Sequence, residues 1–305
     1  MLRRTKPLSL SGPRSSGRRP TRRLLPAGVL AVLVALSASC HTTGAEPSRP
    51  APHHVVVATW NMCGVRQWNC QGTGDGPQKV RALKRLATNG GAQVILLQEV
   101  CAGDLAAART GLGKGWHSTF KAYVHRDANG RETGIRCAAG GQGAAGIAIL
   151  ASSALSGVAS VSAPQPSVGL RRGIVCATVA GPRLRVCNAH LSLAGGDLSR
   201  PELEIRDDQL KSLVGAADGR TVFGGDLNSA PPSAGNGSSW IWPHDAYRRY
   251  RECDQASPSS RGGRATHLTG HKVDYLFTAL PRAGCSVRDT GVSDHRALVL
   301  RVGTG

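Results

Sequence analysis

Short apolar segments of strand length recur along the chain and constrain its fold more than any other feature. They are rich in Val, Ile and Leu and occupy residues 55–60, 94–100, 173–191, 220–227, 271–277 and 297–302. Segments of this length and composition are typical of buried strands. Two further segments, 79–90 and 201–217, repeat apolar residues with a helical period, with Gly ending the first and Pro starting the second. Strands interleaved with helices predict an α/β fold.

Polar side chains lie at or near the ends of these apolar segments, where a buried strand does not favour them. Each one taken alone is compatible with a structural role, as a turn former, a cap, a surface acid or a hydrogen-bonded core histidine. Together they predict that these side chains meet at one rim, formed by the strand ends, because a buried carboxylate is costly unless it contacts a cation or another polar group. The residues concerned are Asn61, Glu99, His190, Asp226, Asn228, Asp274, Asp294 and His295.

Six motifs that carry these residues occur in this order: TWNMCG (59–64), ILLQEV (95–100), CNAHLS (187–192), GGDLNS (224–229), KVDYLF (272–277) and SDHRAL (293–298). Together they resemble the endonuclease/exonuclease/phosphatase superfamily, which has the deoxyribonuclease-I-like fold, across essentially the whole chain after its N-terminal leader. The resemblance implies an α/β four-layer sandwich, in which two mixed β-sheets pack face to face with helices on the outside. It also implies metal-dependent hydrolysis of a phosphate ester.

The resemblance further implies a magnesium site. Glu99 would be the principal carboxylate ligand, with Asn61 beside it and Asp294 close by. Oxygen ligands of this kind suit a hard divalent cation. Mn²⁺ and Ca²⁺ remain alternatives to Mg²⁺.

Catalytic roles follow from the same resemblance. His295 would be the general base for the attacking water, and Asp274 would orient its imidazole. Asp226 and Asn228 would position the nucleophile and the phosphate oxygens, and His190 would donate to the scissile phosphate as charge develops.

The net charge favours a polyanionic substrate. The formal charge of the chain is +19, of which eight Lys and Arg lie in residues 1–40 without any acid, so the remainder carries +11. A strongly basic protein attracts polyanions over a long range, which predicts nucleic acid as the substrate. A secreted sphingomyelinase-like phospholipid phosphodiesterase and a phosphatase of small phosphate esters remain alternatives. A binding module without catalysis would require broken catalytic positions, and none of the six motifs is broken.

Two short stretches bear on this choice. Residues 245–254 interleave Tyr247 and Tyr250 with arginines, which could follow a nucleic-acid backbone and stack on bases, or could form the solvated face of an amphipathic helix. Residues 238–245 carry Trp240 and Trp242 and are the candidate for an apolar projection that contacts a bilayer.

The N-terminal region predicts export. Residues 1–40 combine a basic leader with an apolar run that ends in small residues, which is typical of an export signal. Residues 41–53 form a Pro-rich linker, and one domain is expected over residues 54–303, as a monomer. The protein is therefore expected to be secreted. Cys40 loosely resembles a lipoprotein cleavage site, so a lipid anchor remains an alternative, and membrane contact would require that anchor or a lipid substrate.

The cysteines agree with export, because eight of them follow Cys40 and an even set favours disulfides in an oxidising compartment. Gly181 and Pro182 lie midway between Cys176 and Cys187, so a hairpin would place these two cysteines opposite each other. A bond between Cys63 and Cys70 would close a short loop.

Overall fold

The computed structural model of the chain describes residues 53–304 except residues 71, 139, 140 and 234. The predicted export signal, with Cys40, and all but the last residue of the predicted linker lie outside the described residues. The described residues form these strands, α-helices and one 3₁₀ helix (η1), numbered along the chain: β1 (His54–Asn61), α1 (Gly76–Thr88), β2 (Val94–Cys101), α2 (Ala102–Leu112), β3 (His117–Ala122), β4 (Val124–Arg126), β5 (Glu132–Gly134), β6 (Ala145–Ala151), β7 (Leu155–Val161), β8 (Gly169–Arg171), β9 (Gly173–Val179), β10 (Leu184–His190), α3 (Arg206–Gly215), β11 (Thr221–Asp226), η1 (Ser239–Ile241), α4 (His244–Arg249), β12 (Arg251–Glu252), β13 (Asp274–Thr278), β14 (Arg282–Arg288) and β15 (Ala297–Gly303).

The strands form two large mixed sheets and one small sheet. In the first large sheet the order is β14-β15-β1-β2-β6-β3, where β1 and β2 run parallel and the other neighbours antiparallel. In the second the order is β12-β13-β11-β10-β9-β7, where β10 and β11 run parallel and the other neighbours antiparallel. The small sheet has the order β5-β4-β8. The predicted pair of mixed sheets is confirmed.

The main core lies between the two large sheets. In β1, Val55 and Val57 belong to this inter-sheet cluster, whereas Ala58 and Trp60 belong to a second cluster on the outer face of the same sheet. This alternation is the strand period of two residues. Because both faces of the sheet are covered, the strand has an almost continuous apolar sequence.

Helices cover the outer face of each large sheet. Leu83 of α1 and Leu105 of α2 pack in the cluster outside the first sheet. Leu210 of α3 and Tyr247 of α4 pack in a third cluster outside the second sheet. The layers are therefore helix, sheet, sheet and helix.

The two helices predicted from sequence are α1 and α3, with shifted starts. Asp75 begins α1 with a capping box, because its carboxylate accepts from the Gln78 amide N–H and the Gln78 side chain accepts from the Asp75 amide N–H, both at 2.8 Å. The predicted start of the second helix at Pro201 was wrong, since α3 begins at Arg206. The Glu204 carboxylate accepts from the Arg206 amide N–H at 2.9 Å, which provides a local acceptor at that start.

Several elements have no clear signal in the sequence. The edge strands β3, β7 and β14 are partly or fully exposed along their length, so apolar alternation is weak in them. The central strand β6 is composed of Ala, Gly, Ile and Leu and follows a Gly-rich stretch, and Ala and Gly are depleted in strands. The helix α2 also went unpredicted.

Two surface interpretations of the sequence are corrected by burial. The rings of Tyr247 and Tyr250 are buried, so neither can stack on a nucleotide base. In the stretch 238–245, Ile241 and Trp242 are buried as well, and Trp240 is the residue of this aromatic cluster that is exposed. Both errors arise because Ile241, Trp242, Tyr247 and Tyr250 pack in the cluster outside the second sheet.

No helix among residues 53–304, the four omitted positions aside, is sufficiently long and apolar to span a membrane.

Four disulfides join the described cysteines. The predicted pair Cys176–Cys187 is present and links directly opposed residues of β9 and β10. Cys63–Cys70 is also present and closes the short loop considered from the sequence. Cys101–Cys137 ties the end of β2 to the Gly-rich loop. Cys253–Cys285 joins the edge of the second sheet to β14 at the edge of the first.

Asn188 connects the two large sheets through buried hydrogen bonds. Its Nδ2 group donates to the backbone oxygens of Leu97 at 2.9 Å and Ala148 at 2.8 Å, and its Oδ1 accepts from Gln98 Nε2 at 2.6 Å. Asn188 lies two residues before His190, so this contact fixes the relative position of the sheets close to the predicted site.

We expect Asn188→Ala to lower the free energy of unfolding by about 3 kcal/mol, because it leaves several buried polar groups without partners at about 1–3 kcal/mol each. Denaturant unfolding followed by circular dichroism measures the change. Asn129→Ala in an exposed turn is the control and should have little effect. Equal stability of the two variants would contradict the importance of the Asn188 contact.

Candidate active site

Three predicted site residues are neighbours across the second sheet. β10 ends at His190, β11 ends at Asp226 and β13 begins at Asp274. The strand register pairs His190 with Asp226 and Asp226 with Asp274. Because paired strands are about 4.8 Å apart, the three side chains lie at one end of the sheet.

Two glycines allow the close strand packing that precedes Asp226. Gly224 and Gly225 have φ angles of 156° and 127°, and a Cβ atom on either would lie 1.9 Å from a backbone oxygen, of Tyr275 or Ala189 respectively. Any larger residue would push β11 away from its neighbours. The motif GGDLNS therefore positions the Asp226 carboxylate through its backbone.

Asn61 joins the two sheets at this rim. Its Nδ2 donates to Oε1 of Glu99 at 3.1 Å and to Oδ2 of Asp226 at 3.0 Å. Its Oδ1, the atom that would ligate a metal, accepts from the Cys63 amide N–H at 2.9 Å and keeps one further lone pair. One amide thus holds together two buried carboxylates that come from different sheets.

Glu99 occupies an unusual backbone position. Its φ is 49°, which is uncommon outside glycine, and it lies where the pairing of β2 with β6 shifts register. Burial raises the pKa of Glu99 to about 7, although Arg172 and the Asn61 hydrogen bond oppose the rise. Among the described residues Glu99 forms no ion pair with Lys or Arg.

Asp294 also lies close to the Cys63–Cys70 disulfide. A carboxylate oxygen of Asp294 is within 4.8 Å of both sulfurs, and Oε2 of Glu99 is 3.7 Å from Sγ of Cys70. The disulfide therefore closes the loop against which both predicted carboxylate ligands rest.

His295 is held by contacts to its backbone and to its ring. The Trp60 indole donates to its carbonyl oxygen at 3.2 Å, and the Ser293 hydroxyl accepts from its amide N–H at 3.0 Å. Its Nδ1 lies 2.8 Å from Oδ2 of Asp274, and its Nε2 lies 3.8 Å from Oδ2 of Asp226. With Nδ1 bonded to Asp274, Nε2 is the ring nitrogen that faces the rim.

The two histidines on either side of Asp226 have opposite pKa shifts. Burial opposes a charge on His295, but the carboxylates of Asp274, Asp226 and Asp294 outweigh it and raise the pKa of His295 to about 10. Burial lowers the pKa of His190 well below its usual value. His190 is therefore a neutral imidazole, whereas His295 is stabilised as a cation by its carboxylate neighbours.

Tyr123 and Asp226 determine which nitrogen of His190 carries the proton. Its hydroxyl oxygen accepts from the Glu99 amide N–H at 3.1 Å and lies 2.7 Å from Nδ1 of His190. Nε2 of His190 lies 3.4 Å from Oδ2 of Asp226. The Asp226 carboxylate faces Nε2 and can only accept, which places the ring proton on Nε2, so the Tyr123 hydroxyl donates to Nδ1. Tyr123 follows an exposed edge strand, so the sequence gives no signal for it.

Asn228 is also at the rim, in a left-handed conformation with φ of 48°. Its amide N–H donates to Oδ1 of Asp226 at 3.0 Å, and its Nδ2 donates to the Leu191 carbonyl oxygen at 2.9 Å. Asn228 thus helps to orient Asp226, and the structure brings all eight predicted residues to the same end of the two sheets.

Arg172 is a cation at the site that the sequence interpretation missed. Its Nη1 donates to the Leu191 carbonyl oxygen at 3.1 Å, and its guanidinium carbon lies 5.8 Å from the centre of the Trp68 ring. Its Nε is buried and has no protein partner. Its charge opposes the pKa rise of Glu99 and adds to the fall at His190. Arg172 directly precedes β9, so its position at a strand end could have identified it as a site residue.

Lys79 is a second missed cation, below the loop that follows Asn61. Its Nζ donates to the backbone oxygens of Met62 and Cys63, each at 2.7 Å. Burial lowers the pKa of Lys79 to about 8, although Asp294 and Glu99 oppose the fall. This lysine holds the loop in place from the buried side of α1.

These residues agree with comparisons to known proteins. The sequence profile of the Endonuclease/Exonuclease/phosphatase family matches residues 58–295, which include every site residue described above. The chain belongs to this family. Its members hydrolyse phosphoester bonds and generally use divalent metal ions. No curated protein sequence matches the chain significantly.

Solved structures share the fold at low sequence identity. A family member from Leptotrichia buccalis C-1013-b has a TM-score of 0.57 at 14% identity, covering 81% of this chain and 99% of its own. Humanized TDP2 from D. rerio has a TM-score of 0.56 at 15% identity, covering 81% and 98%. The human Nocturnin catalytic domain, with bound sulfate, has a TM-score of 0.55 at 14% identity, covering 81% and 93%.

The donor set fits a divalent cation. Glu99 and Asp294 supply carboxylate oxygens, and the buried Glu99 carboxylate has no Lys or Arg partner among the described residues. Hard divalent ions prefer such oxygens, and a bound cation would offset the cost of burying the charge.

We expect Tyr123→Phe to lower kcat about tenfold with little change in KM, because His190 loses the hydrogen bond that fixes its tautomer. The ¹⁵N chemical shifts of the His190 ring should change from one tautomer to a mixture. Tyr250→Phe removes a hydroxyl that bonds the Ala217 carbonyl oxygen away from the site and is the matched control. Unchanged His190 shifts would contradict this role of Tyr123.

Proposed function

We propose that this chain is a secreted, divalent-metal-dependent phosphodiesterase that hydrolyses nucleic acid. The observation that carries the proposal is the placement of the His295–Asp274 pair, at 2.8 Å, on the same rim as Asp226 and Glu99. One site then offers a proton acceptor with its orienting acid together with carboxylate oxygens for a cation. Hydrolysis of a phosphate ester needs these groups.

The contacts of each side chain indicate its role in the reaction. Nε2 of His295 accepts a proton from the attacking water, and Asp274 holds the ring in the required tautomer and stabilises the imidazolium. Asp226, itself oriented by the Asn228 amide N–H, positions the water. The Nε2–H of His190 donates to a phosphate oxygen as negative charge develops there.

Glu99 and Asp294 would hold Mg²⁺, with Asn61 beside them and Mn²⁺ or Ca²⁺ as alternatives. When bound, the cation would polarise the phosphate ester and offset the negative charge of both carboxylates. His295 depends on that balance, because Asp294 is one of the acids that raise its pKa. A cation bound by Asp294 would lower the pKa of His295, which Asp274 and Asp226 raise more than Asp294 does.

Nucleic acid is the proposed substrate because the chain is strongly basic beyond the leader, with a formal charge of +11. Arg172 places one of these charges at the site. Its guanidinium is fixed by Leu191 and Trp68, and its other N–H groups remain for a phosphate.

Secretion is supported by the basic and apolar leader in residues 1–40 and by the four disulfides, which persist in oxidising compartments. A lipid anchor at Cys40 is the alternative to free release.

A phospholipid phosphodiesterase is the second candidate, and exposed apolar residues favour it. Leu193, Leu198, Trp240 and Leu268 are each more than half exposed. Leu193 and Leu198 lie on the loop after His190, Trp240 lies in η1, and Leu268 lies on the loop that donates to the Asp294 carbonyl oxygen. Apolar side chains around a phosphate-ester site could contact a lipid surface.

A substrate panel tests the proposal. Purified protein is incubated with plasmid DNA, RNA, sphingomyelin liposomes and inositol phosphates, each with Mg²⁺ or with EDTA, and with His295→Ala as the inactive control. We expect cleavage of DNA or RNA that requires the metal and His295. Hydrolysis of sphingomyelin alone would favour the second candidate. Release of phosphate from inositol phosphates alone would favour a phosphatase of small esters.

We expect His295→Ala to lower kcat by at least about 10²-fold with little change in substrate binding, which is typical for loss of a general base. Asp274→Asn should act through the same imidazole, so the double variant should lose little more activity than the worse single variant. Steady-state kinetics on the cleaved substrate measures this. His117→Ala, exposed at the opposite end of the first sheet, is the control. Multiplicative losses would show that the two residues act independently.

A further inference from the structure

His267 lies beside the predicted metal ligands and has no role in the mechanism above. An isolated β-bridge pairs it with His295, and the next residue, Leu268, donates its amide N–H to the Asp294 carbonyl oxygen at 2.9 Å. On the other side, the His267 amide N–H donates to the His271 carbonyl oxygen at 3.0 Å. The backbone therefore fixes the His267 ring next to the segment Asp294–His295.

The ring nitrogen Nε2 of His267 faces the Asp294 carboxylate. It lies 3.4 Å from Oδ2 of Asp294, and the ring packs edge-to-face on His295 with centres 4.7 Å apart. One ligand atom from each of these three residues lies within 4.8 Å of the others. Ligands at about 2.0–2.2 Å from one ion are themselves separated by about 3–4.4 Å, and the 3.4 Å between Nε2 of His267 and Oδ2 of Asp294 lies in that range.

The hydrogen bonds at the second nitrogen of His267 are compatible with either of two tautomers. Its Nδ1 lies 2.7 Å from Oγ1 of Thr269, and that hydroxyl lies 2.9 Å from Nδ1 of His271. If Nδ1–H donates to Thr269, the hydroxyl donates onward to His271, and Nε2 keeps a free lone pair. In the other tautomer Nδ1 accepts from the Thr269 amide N–H at 3.2 Å and Nε2–H donates to Asp294. The two tautomers carry the same number of protons.

Access and exposure agree with a ligand role. The side chains of His267 and Asp294 are 23% and 26% exposed, so an ion can reach the space between them. Both are more accessible than His295, at 9%, which is enclosed by its carboxylate partners.

We propose that His267 supplies a nitrogen ligand, through Nε2, to the divalent cation that Asp294 also binds. The inference rests on the metal dependence in the proposed function and adds an imidazole to an otherwise all-oxygen donor set. Imidazole favours later first-row transition ions, whose affinity rises from Mn²⁺ to Co²⁺, over Mg²⁺, which keeps oxygen ligands. The site should therefore prefer Co²⁺ and Mn²⁺ to Mg²⁺.

Metal-binding measurements without substrate test this. Titration calorimetry gives the Kd of Mg²⁺, Mn²⁺ and Co²⁺ for the wild-type chain, His267→Ala, His267→Gln and the exposed control His117→Ala. We expect His267→Ala to weaken Co²⁺ binding about 10–100-fold, which is typical when a metal ligand or a residue that orients it is lost. Mg²⁺ binding should weaken by less than about twofold. His267→Gln keeps a donor for Asp294 but no nitrogen ligand, so it should behave like His267→Ala.

A spectroscopic measurement identifies the ligand atom. Electron spin echo envelope modulation of the Mn²⁺-loaded wild-type chain should show ¹⁴N coupling that disappears in His267→Ala and persists in His117→Ala. Circular dichroism verifies that each variant is folded.

Three results would overturn the inference. They are equal weakening of Mg²⁺ and Co²⁺ binding in His267→Ala, full recovery of Co²⁺ binding in His267→Gln, and ¹⁴N coupling that survives in His267→Ala. A wild-type chain that binds none of the three ions would contradict the metal-dependent activity as well, which separates the two failures. Because no nucleic acid or lipid is used, the identity of the ester does not affect the outcome.

Discussion

The site depends on one amide group that joins two buried acids from different sheets. Asn61 donates from a single Nδ2 to Glu99 and to Asp226, which would otherwise repel each other in a region with little water. Asp226 is further stabilised by His190 and His295, which together with Asn61 outweigh its burial and lower its pKa. Among the described residues no histidine forms an ion pair with Glu99, so its carboxylate is the one that a bound cation would stabilise most.

His190 and His295 have the same side chain, but their surroundings give them different protonation states and roles. His190 is buried beside Tyr123 and Asp226 and stays neutral, so it serves as a fixed hydrogen-bond donor. His295 faces several carboxylates, which raise its pKa and make its protonation respond to the charge state of the rim. Neighbouring groups with opposite pKa shifts are typical of acid and base pairs in active sites.

The sequence predicts most of the strands that are buried on both faces, with β6 as the exception. Central strands such as β1 and β10 are long apolar runs, and the polar residue at the end of each run stands out against them. Edge strands such as β3 and β14 share their faces with solvent and carry no comparable pattern, so residues that depend on them, including Tyr123, could not be predicted. His267 and Lys79 were missed for another reason, because a histidine in a polar loop and a lysine on a helix are ordinary until the fold places them beside Asp294 and Asn61.

The strand order determines when the last strand pairs can form during synthesis of the chain. The first strand, β1, lies between β2 and the last strand, β15, with His54 opposite Gly303. During synthesis from the N-terminus, β15 is made only after almost the whole domain, so β1 cannot pair with it earlier. Contacts of such large sequence separation also form slowly. His295 lies just before that final strand. The candidate site is therefore among the last features to be completed during synthesis, and partial products lack His295.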